Sequence, residues 1–336
     1  MSSHAHAQSR RTFLKAAAAA GIALGPALTA RAAGAEPTLS RPAAAPAALA
    51  TDISAVDAHV HLWDTSYFPV PWIVGNPVLD QAYVLDDYQA HTAGLGIKAI
   101  VYVEVAIASE YTLLEADWVV ARAAENPLIQ GMVAYAPLEY GERVRSYLDA
   151  LVTRGPLIKG VRRGLPSPTD TKFDHQSFIR GIQILSEYGL SFDILGKGTA
   201  HLDKAIEIAK AAPDTSLMID HLLKPDIKQH TLDPWRAQMT QLASFPNVST
   251  KISGIITEAD PKNWTPEDLQ PYVAHALNAF GEDRVVYGGD WPPVLTAAPY
   301  ARWFETLDNL TAGLSPQAKR KLFGDNARRF YRLPGA

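Results

Sequence analysis

The sequence predicts an α/β fold, specifically a distorted (β/α)8 TIM barrel, because two kinds of segment alternate regularly along the chain. Short apolar runs rich in Val and Ile alternate with longer amphipathic segments from residue 54 onwards. The runs are nearly continuously apolar, which is typical of parallel strands that are buried on both faces. They span residues 54–62, 97–106, 129–138, 157–165, 190–196, 216–223, 247–254 and 284–292. Eight such strands separated by helices favour a closed barrel.

The segments between the strands have helical periodicity. Residues 111–125, 175–189 and 201–213 place apolar side chains three and four positions apart. A doubly wound open sheet is the alternative arrangement. That fold needs a glycine-rich phosphate turn after its first strand, whereas residues 61–64 (HLWD) contain no glycine. The barrel is therefore the preferred prediction.

The first 35 residues have the pattern of a twin-arginine export signal. Arg10 and Arg11 precede a mild apolar run over residues 16–30, and residues 33–35 (AGA) form a small-x-small cleavage pattern. The run is too short and too weakly apolar to be a stable membrane anchor. Residues 36–50 form a Pro/Ala-rich linker, and residues 51–336 form a single barrel domain. We therefore expect a periplasmic or secreted protein that is recognised by the twin-arginine export machinery.

Composition limits both the partners and the metal ligands. The formal charge of −4 becomes about −8 when the four cations of the leader are removed. An acidic chain of this kind is not expected to bind nucleic acid or an anionic membrane. The chain has no cysteine, so histidine, carboxylate or water would have to hold any metal ion. Nothing in the sequence predicts the oligomeric state.

The first strand carries the strongest chemical signal. In VDAHVHLWD, residues 56–64, strand alternation places Asp57, His59 and His61 on the same face. His221 and Asp290 end the sixth and eighth runs, and the C-terminal ends of strands meet at the mouth of a barrel. Three imidazoles and one carboxylate match a mononuclear zinc site with an open position for water. Asp290 would ligate the metal, or act as the general base that activates the water.

The most cationic stretch is residues 159–164 (KGVRRG), which contains two candidate substrate-binding arginines. Alternation lets only one of them face the barrel, and the flanking glycines favour Arg162, whose planar guanidinium would clamp a carboxylate or sulfonate. Arg163 would then point toward the helices, where it would form a surface ion pair instead of binding substrate. Trp63 and Trp291 follow strand ends, where aromatic side chains either line a substrate pocket or pack within a lid.

Six motifs in order resemble the amidohydrolase-2 branch of the amidohydrolase superfamily, and within it the lactonase group. They lie at residues 56–64, 157–165, 217–225, 247–254, 284–292 and 322–333. The resemblance implies a distorted TIM barrel that hydrolyses a cyclic ester. It also implies that the active-site positions are His59, His61, His221 and Asp290. Some members of the group hold zinc there, and others work without a metal.

Two residues depart from the family pattern close to these positions. Leu223 stands where a small residue usually follows the Asp-His motif, and Gly289 stands where Ser or Thr often precedes the final aspartate. Because both residues neighbour the predicted site, the shape of the accepted substrate is expected to differ from that of other family members.

The expected activity is hydrolysis of a small anionic lactone, with 4-sulfomuconolactone or a similar muconolactone-type ring from aromatic degradation preferred. Zinc, or the three histidines alone, would polarise the carbonyl while Asp290 takes the proton of the attacking water. Arg162 would hold a remote anionic group and so orient the ring. The alternatives are a metal-dependent non-oxidative decarboxylase of an aromatic acid, a sugar-acid lactonase such as an L-fuconolactonase, and a non-catalytic binding protein.

Overall fold

A computed structural model describes residues 53–167 and 169–335 of the chain. The predicted export signal (residues 1–35) and linker (residues 36–50) lie outside the described residues. Within the described part of the chain, no helix combines the length and the apolar character that a membrane crossing requires.

Eight parallel strands form one sheet in which the strands are neighbours in chain order. The strands are β1 (Ala55–Val60), β2 (Ile97–Val103), β3 (Ile129–Tyr135), β4 (Ile158–Arg162), β5 (Ser191–Ile194), β6 (Leu217–Ile219), β7 (Val248–Ile252) and β8 (Val285–Tyr287). The chain after β8 returns to β1, where Val60 and Trp291 form a parallel bridge and the carbonyl of His59 accepts the N–H of Asp290 at 2.8 Å. The predicted (β/α)8 TIM barrel is confirmed, with a strand at each of the eight predicted runs.

Helices connect the strands and surround the barrel. They are α1 (Leu85–His91), α2 (Thr112–Glu125), α3 (Val144–Val152), α4 (His175–Glu187), α5 (Thr199–Ala211), α6 (Trp235–Ala243), α7 (Pro266–Phe280), α8 (Tyr300–Leu310), α9 (Pro316–Arg320) and α10 (Asn326–Tyr331). The three segments with predicted helical periodicity correspond to α2, α4 and α5. Each of these helices buries one apolar face against the strands, as that periodicity requires.

Apolar side chains fill two separate layers. One cluster contains Val56 and Ala58 of β1 together with valines and Met218 from other strands, and it occupies the barrel interior. Tyr331 and Leu333 near the C-terminus pack against this interior cluster. A second, larger cluster lies between the strands and the surrounding helices. The predicted site lies beyond this cluster, at the C-terminal ends of β1, β6 and β8.

Strands β6 and β8 end earlier than the sequence predicts. The predicted runs 216–223 and 284–292 contain strands of three residues each. The chain turns sharply after them, and His221 and Asp290 adopt left-handed backbone conformations with φ of 54° and 53°. Such a conformation costs roughly 1–2 kcal/mol for a non-glycine residue. The two turns place the side chains of these residues at the mouth of the barrel.

Candidate active site

Three histidines and one aspartate converge at the C-terminal ends of β1, β6 and β8. The Nε2 atoms of His59 and His61 lie 3.2 Å apart. Oδ1 of Asp290 lies 3.8 Å from Nε2 of His59, 3.6 Å from Nε2 of His61 and 3.9 Å from Nε2 of His221. The structure therefore brings the four predicted metal ligands to one point. His59 is fully buried, and the other three retain a small exposed fraction.

A β-bulge in β1 turns Asp57 away from the face that carries His59 and His61. The register of β1 against β2 shifts after Asp57. Ala58 packs inside the barrel, whereas Asp57 points toward the helices and accepts the O–H of Tyr300 at 2.6 Å. The prediction that Asp57 shares a face with the two histidines is therefore wrong, because the extra residue of the bulge interrupts strict alternation.

The outer ring nitrogens of two histidines are held so that their Nε2 atoms face the centre. Nδ1 of His61 donates to the carbonyl of Val103 at 2.8 Å. Nδ1 of His221 lies 2.9 Å from Oγ of Ser253, which follows β7. Contacts of this kind fix the ring orientation and the tautomer of a metal-binding histidine.

Because Gly254 has no side chain, the side chains of Asp290 and His221 have room to approach each other. Its φ is 59°, a left-handed conformation that favours glycine. A Cβ atom at this position would lie 2.5 Å from Oδ2 of Asp290 and 2.5 Å from Nδ1 of His221. A side chain at residue 254 would therefore push apart the aspartate and the histidine.

The protonation states suit both metal binding and base catalysis. Burial lowers the pKa of His221 to about 4 and lowers the pKa of His59 well below its usual value. Burial opposes ionisation of Asp290, but the surrounding histidines outweigh it and lower the pKa of this carboxyl. Neutral imidazoles and an ionised carboxylate are the forms that bind a metal ion. The same carboxylate is ready to accept a proton from water.

His59, His61 and Asp290 are close enough together to hold a single zinc ion, and His221 lies beside them. Zinc holds nitrogen and oxygen ligands at about 2.0–2.2 Å in a tetrahedron, so neighbouring ligand atoms lie roughly 3.3–3.6 Å apart. The separations of 3.2–3.8 Å among Nε2 of His59, Nε2 of His61 and Oδ1 of Asp290 are close to that range, and Nε2 of His221 lies 3.9 Å from the same oxygen. His59, His61, His221 and Asp290 are therefore the residues that would hold the ion.

Arg162 lies inside the barrel beside this cluster, but acidic residues already hold its guanidinium. Nε donates to Oε1 of Glu104 at 2.6 Å, and Nη2 donates to the Glu104 carbonyl. Nη1 lies 3.6 Å from Oδ2 of Asp220 and 3.3 Å from Nε2 of His59. Arg162 thus faces the barrel interior, as expected. These contacts conflict with the predicted clamp for a substrate anion, because two carboxylates already balance the charge.

Three other predicted substrate-binding residues pack against other parts of the protein. The guanidinium of Arg163 is half-buried and pairs with Glu139, with Nη2 and Oε1 3.1 Å apart. Trp63 and Trp291 are both 0% exposed. The indole N–H of Trp63 donates to the carbonyl of Gln81 at 2.6 Å. The prediction that the two tryptophans contact substrate is therefore wrong, since both pack within the loops around the mouth.

A layer of buried charged residues lies beneath the cluster, and the sequence predicted no function for it. Asp193, Asp220 and Lys251 are all fully buried. Nζ of Lys251 lies 2.6 Å from Oδ2 of Asp193 and 2.9 Å from Oδ1 of Asp220. Each of three apolar runs contains one of these charged residues. This pattern could have predicted buried ion pairs, because a charge in a buried strand requires a partner.

Comparisons with known proteins find relatives that match nearly the whole barrel domain. The profile of the amidohydrolase family matches residues 56–333. An L-fucono-1,5-lactonase of Burkholderia ambifaria is 28% identical over 289 residues, which covers 83% of this chain and 95% of that protein. An L-rhamnono-gamma-lactonase of Scheffersomyces stipitis is 23% identical over 332 residues, with 83% of this chain and 98% of that protein covered. The crystal structure of an amidohydrolase from Burkholderia multivorans with bound zinc superposes with a TM-score of 0.73 at 25% identity, covering 83% of this chain and 99% of that one.

Proposed function

Since the chain belongs to the amidohydrolase family, we propose that it is a lactonase that opens the cyclic ester of a sugar acid. The match to the family profile confirms the resemblance on which the expected hydrolase activity was based. The observation that carries the proposal is the convergence of His59, His61 and His221 on Asp290 at the barrel mouth, where their Nε2 atoms lie 3.6–3.9 Å from Oδ1. Neutral nitrogens and one ionised carboxylate are the groups that ester hydrolysis by water requires.

Two findings favour a sugar-acid lactone over the anionic muconolactone expected from the sequence. The relatives named as L-fucono-1,5-lactonase and L-rhamnono-gamma-lactonase match along nearly their whole length. The expectation of an anionic ring depended on Arg162, whose guanidinium is paired with Glu104 and Asp220. Arg163 is paired with Glu139. Neither arginine offers an uncompensated charge to a sulfonate or carboxylate, so a neutral ring with hydroxyl groups fits better.

The chain's own residues account for the proton transfers of the reaction. Asp290 accepts a proton from the water that attacks the lactone carbonyl, and it returns that proton to the ring oxygen as the oxygen leaves. When zinc is bound by the three histidines and Asp290, it supplies a Lewis acid that polarises the carbonyl.

The test is acid release in a weakly buffered indicator from a panel of lactones. The panel contains L-fucono-1,5-lactone, L-rhamnono-gamma-lactone, 4-sulfomuconolactone and 2-pyrone-4,6-dicarboxylate. We expect the sugar-acid lactones to be opened fastest. Rapid opening of 4-sulfomuconolactone alone would overturn the proposed substrate class. Carbon dioxide release from an aromatic acid, with every lactone left intact, would instead favour the decarboxylase. Binding of zinc or a sugar acid without turnover would favour the binding protein.

We also propose that the protein is exported by the twin-arginine pathway to the periplasm or beyond. The support is the order of Arg10, Arg11, the apolar run 16–30 and the small residues 33–35. Cell fractionation of the wild type and of the Arg10→Lys/Arg11→Lys variant tests this proposal. We expect the variant to remain in the cytoplasm, and equal export of both proteins would contradict the assignment.

A further inference from the structure

The turn that carries His221 is left-handed over four consecutive residues, 221–224. His221, Leu222, Leu223 and Lys224 have φ of 54°, 54°, 52° and 52°. This conformation is unfavourable for L-amino acids, because Cβ comes too close to the following carbonyl oxygen, and it normally occurs at single residues. None of the four is glycine, the residue that adopts positive φ readily. The neighbouring structure must therefore hold the left-handed turn in place.

The left-handed turn supplies only part of this support itself. The backbone N–H of Lys224 donates to the carbonyl of His221 at 2.8 Å and closes the turn. The side chains of Leu222 and Leu223 are fully buried, which favours keeping both residues inside the protein. The carbonyls of these two leucines accept their hydrogen bonds from outside the turn. Those outside donors fix where the middle of the turn lies.

Trp235, the first residue of α6, provides the shorter of the two outside hydrogen bonds. Its indole N–H donates to the carbonyl of Leu222 at 2.8 Å, and this bond is buried. The other donor is the N–H of Gly198, which lies 3.3 Å from the carbonyl of Leu223. The hydrogen bond from Trp235 is therefore the closest side-chain contact that holds the middle of the left-handed turn.

Helix α7 fixes the indole ring from the other side. The ring centroid of Trp235 lies 5.1 Å from that of Tyr272 and 5.4 Å from that of His275, and both residues belong to α7. Trp235 is only 3% exposed. Its N–H is therefore a donor in a fixed place, and the buried carbonyl of Leu222 loses its partner if the turn moves.

We propose that Trp235 is a positioning residue: its indole N–H holds the carbonyl of Leu222 and so keeps the left-handed turn, with His221 at its start, at the mouth of the barrel. Without this bond the turn relaxes, and Nε2 of His221 moves from its position 3.9 Å from Oδ1 of Asp290. Trp235 touches no substrate, because it is buried between the turn and α7. The effect on catalysis rests on the proposed lactonase function, whereas the hold on the turn does not.

Hydrogen exchange in the metal-free protein tests the hold on the turn. Trp235→Phe removes the indole N–H and keeps an aromatic ring. We expect the backbone amides of residues 220–225 to exchange about 3- to 10-fold faster in this variant, the factor that one neutral hydrogen bond contributes to an equilibrium constant. Mass spectrometry of peptides that cover this segment measures the rate. Unchanged exchange of the segment in Trp235→Phe would overturn the proposal.

Trp264→Phe is the matched control for the loss of the indole. Trp264 is 2% exposed, and its N–H donates to the carbonyl of Ala297 at 3.2 Å. The control therefore loses the same atoms and the same kind of hydrogen bond at a place that does not contact the left-handed turn. We expect residues 220–225 to exchange at the wild-type rate in Trp264→Phe. Equal acceleration in both variants would show general loosening of the core and would overturn the specific role of Trp235.

Zinc affinity and kinetics provide the second readout. We expect Trp235→Phe to weaken zinc binding and to lower kcat by about 3- to 10-fold each, because His221 is held less firmly. KM should change by less than about twofold, since Trp235 does not bind substrate. Trp264→Phe should keep both the zinc affinity and kcat. Wild-type zinc affinity in Trp235→Phe would contradict the positioning of His221.

Rescue by glycine separates a hold on the turn from ordinary packing. Glycine adopts positive φ readily, so Lys224→Gly lowers the cost of the left-handed turn and the need for outside support. We expect Trp235→Phe/Lys224→Gly to recover most of the exchange protection and zinc affinity that Trp235→Phe loses. Lys224→Ala also removes the ammonium group near Glu258 but keeps Cβ, and it should give no rescue. Absence of rescue by glycine would assign Trp235 to packing alone.

The same pair of variants covers a failure to fold. If Trp235→Phe does not fold and Trp235→Phe/Lys224→Gly does, the rescue itself supports the proposal. If neither protein folds, Trp235 is required by the core as a whole, and its positioning role is overturned. If the wild type binds no zinc and opens no lactone, the proposed function fails, and the exchange of residues 220–225 still decides the role of Trp235.

Discussion

The carboxylate of Asp57 accepts the backbone N–H of Gly289 at 2.7 Å, and this hydrogen bond ties β1 to the turn that carries Asp290. The same carboxylate accepts the O–H of Tyr300 at 2.6 Å from helix α8. Asp57 is fully buried on the helix side of the sheet. The position of the proposed base therefore depends on a carboxylate that lies outside the active site.

Gly289 leaves the room that this link requires. A Cβ atom there would lie 2.3 Å from Cε2 of Tyr300 and 2.4 Å from Oδ2 of Asp57. We expect Gly289→Ala to lower the free energy of unfolding by about 1–3 kcal/mol and to lower kcat, because the turn must shift. Urea denaturation and lactone turnover measure the two effects. Gly313→Ala is the control, since a Cβ at Gly313 meets nothing within 4 Å. Equal stability of the two variants would refute the explanation that residue 289 must be glycine to avoid a clash with Tyr300 and Asp57.

Ser253 is expected to affect zinc affinity through His221. Its Oγ lies 2.9 Å from Nδ1 of that histidine. We expect Ser253→Ala to weaken zinc binding by about 10- to 100-fold, because the ring loses the partner that orients it. Competition with a chromophoric chelator measures the affinity. Ser191→Ala removes a buried hydroxyl in β5 that faces the carbonyl of Lys159, and it should leave zinc affinity unchanged. The prediction fails if both variants bind zinc as the wild type does.

Glu115 makes the stability of the protein depend on pH. Its fully buried Oε1 accepts the O–H of Tyr102 at 2.7 Å and the N–H of Val105 at 2.9 Å. Burial, with a further contribution from Glu104, raises the pKa of Glu115 from 4.5 to about 8. Between these values the folded protein holds a proton that the unfolded chain has lost. The stabilisation is therefore complete below about pH 4.5 and is lost as the pH rises through about 8.

Replacing this carboxyl by an amide tests the assignment. We expect Glu115→Gln to become more stable than the wild type as the pH is raised from 5 to 9, by on the order of 3–5 kcal/mol. Chemical denaturation at several pH values measures the difference. Glu110→Gln changes an exposed glutamate nearby and should follow the wild-type curve. Parallel curves for the wild type and Glu115→Gln would show that this carboxyl does not titrate in that range.

Periodicity and strand-end position were sufficient to predict the barrel and the four converging side chains. Each apolar run became a strand, and His59, His61 and His221 approach Asp290 because parallel strands present their C-terminal ends at one face. The bulge after Asp57 could not be predicted, because nothing in VDAHVHLWD differs from regular alternation. Its effect is to send Asp57 to the helices while both histidines remain at the mouth.

The ion pairs of Arg162 and the burial of the two tryptophans also could not be predicted from the sequence. Arg162 is paired with Glu104 from β2 and Asp220 from the turn after β6, and these contacts exist only once the barrel closes. Trp63 and Trp291 follow strand ends, as pocket-lining residues do, but the surrounding loops cover them completely. Local sequence does not show whether an arginine is paired with a carboxylate. It also does not show whether a tryptophan packs within a lid or lines a pocket.

The most direct test of the account is the hydrolysis of L-fucono-1,5-lactone by the wild type and by Asp290→Asn, with zinc content measured in the same samples. The amide keeps the shape of the side chain but cannot accept the proton of the attacking water. We expect the wild type to open the lactone and the variant to lose about 10²- to 10⁴-fold in kcat while remaining folded. Wild-type turnover by the variant would contradict the assignment of Asp290 as the base, and no turnover by either protein would contradict the proposed substrate.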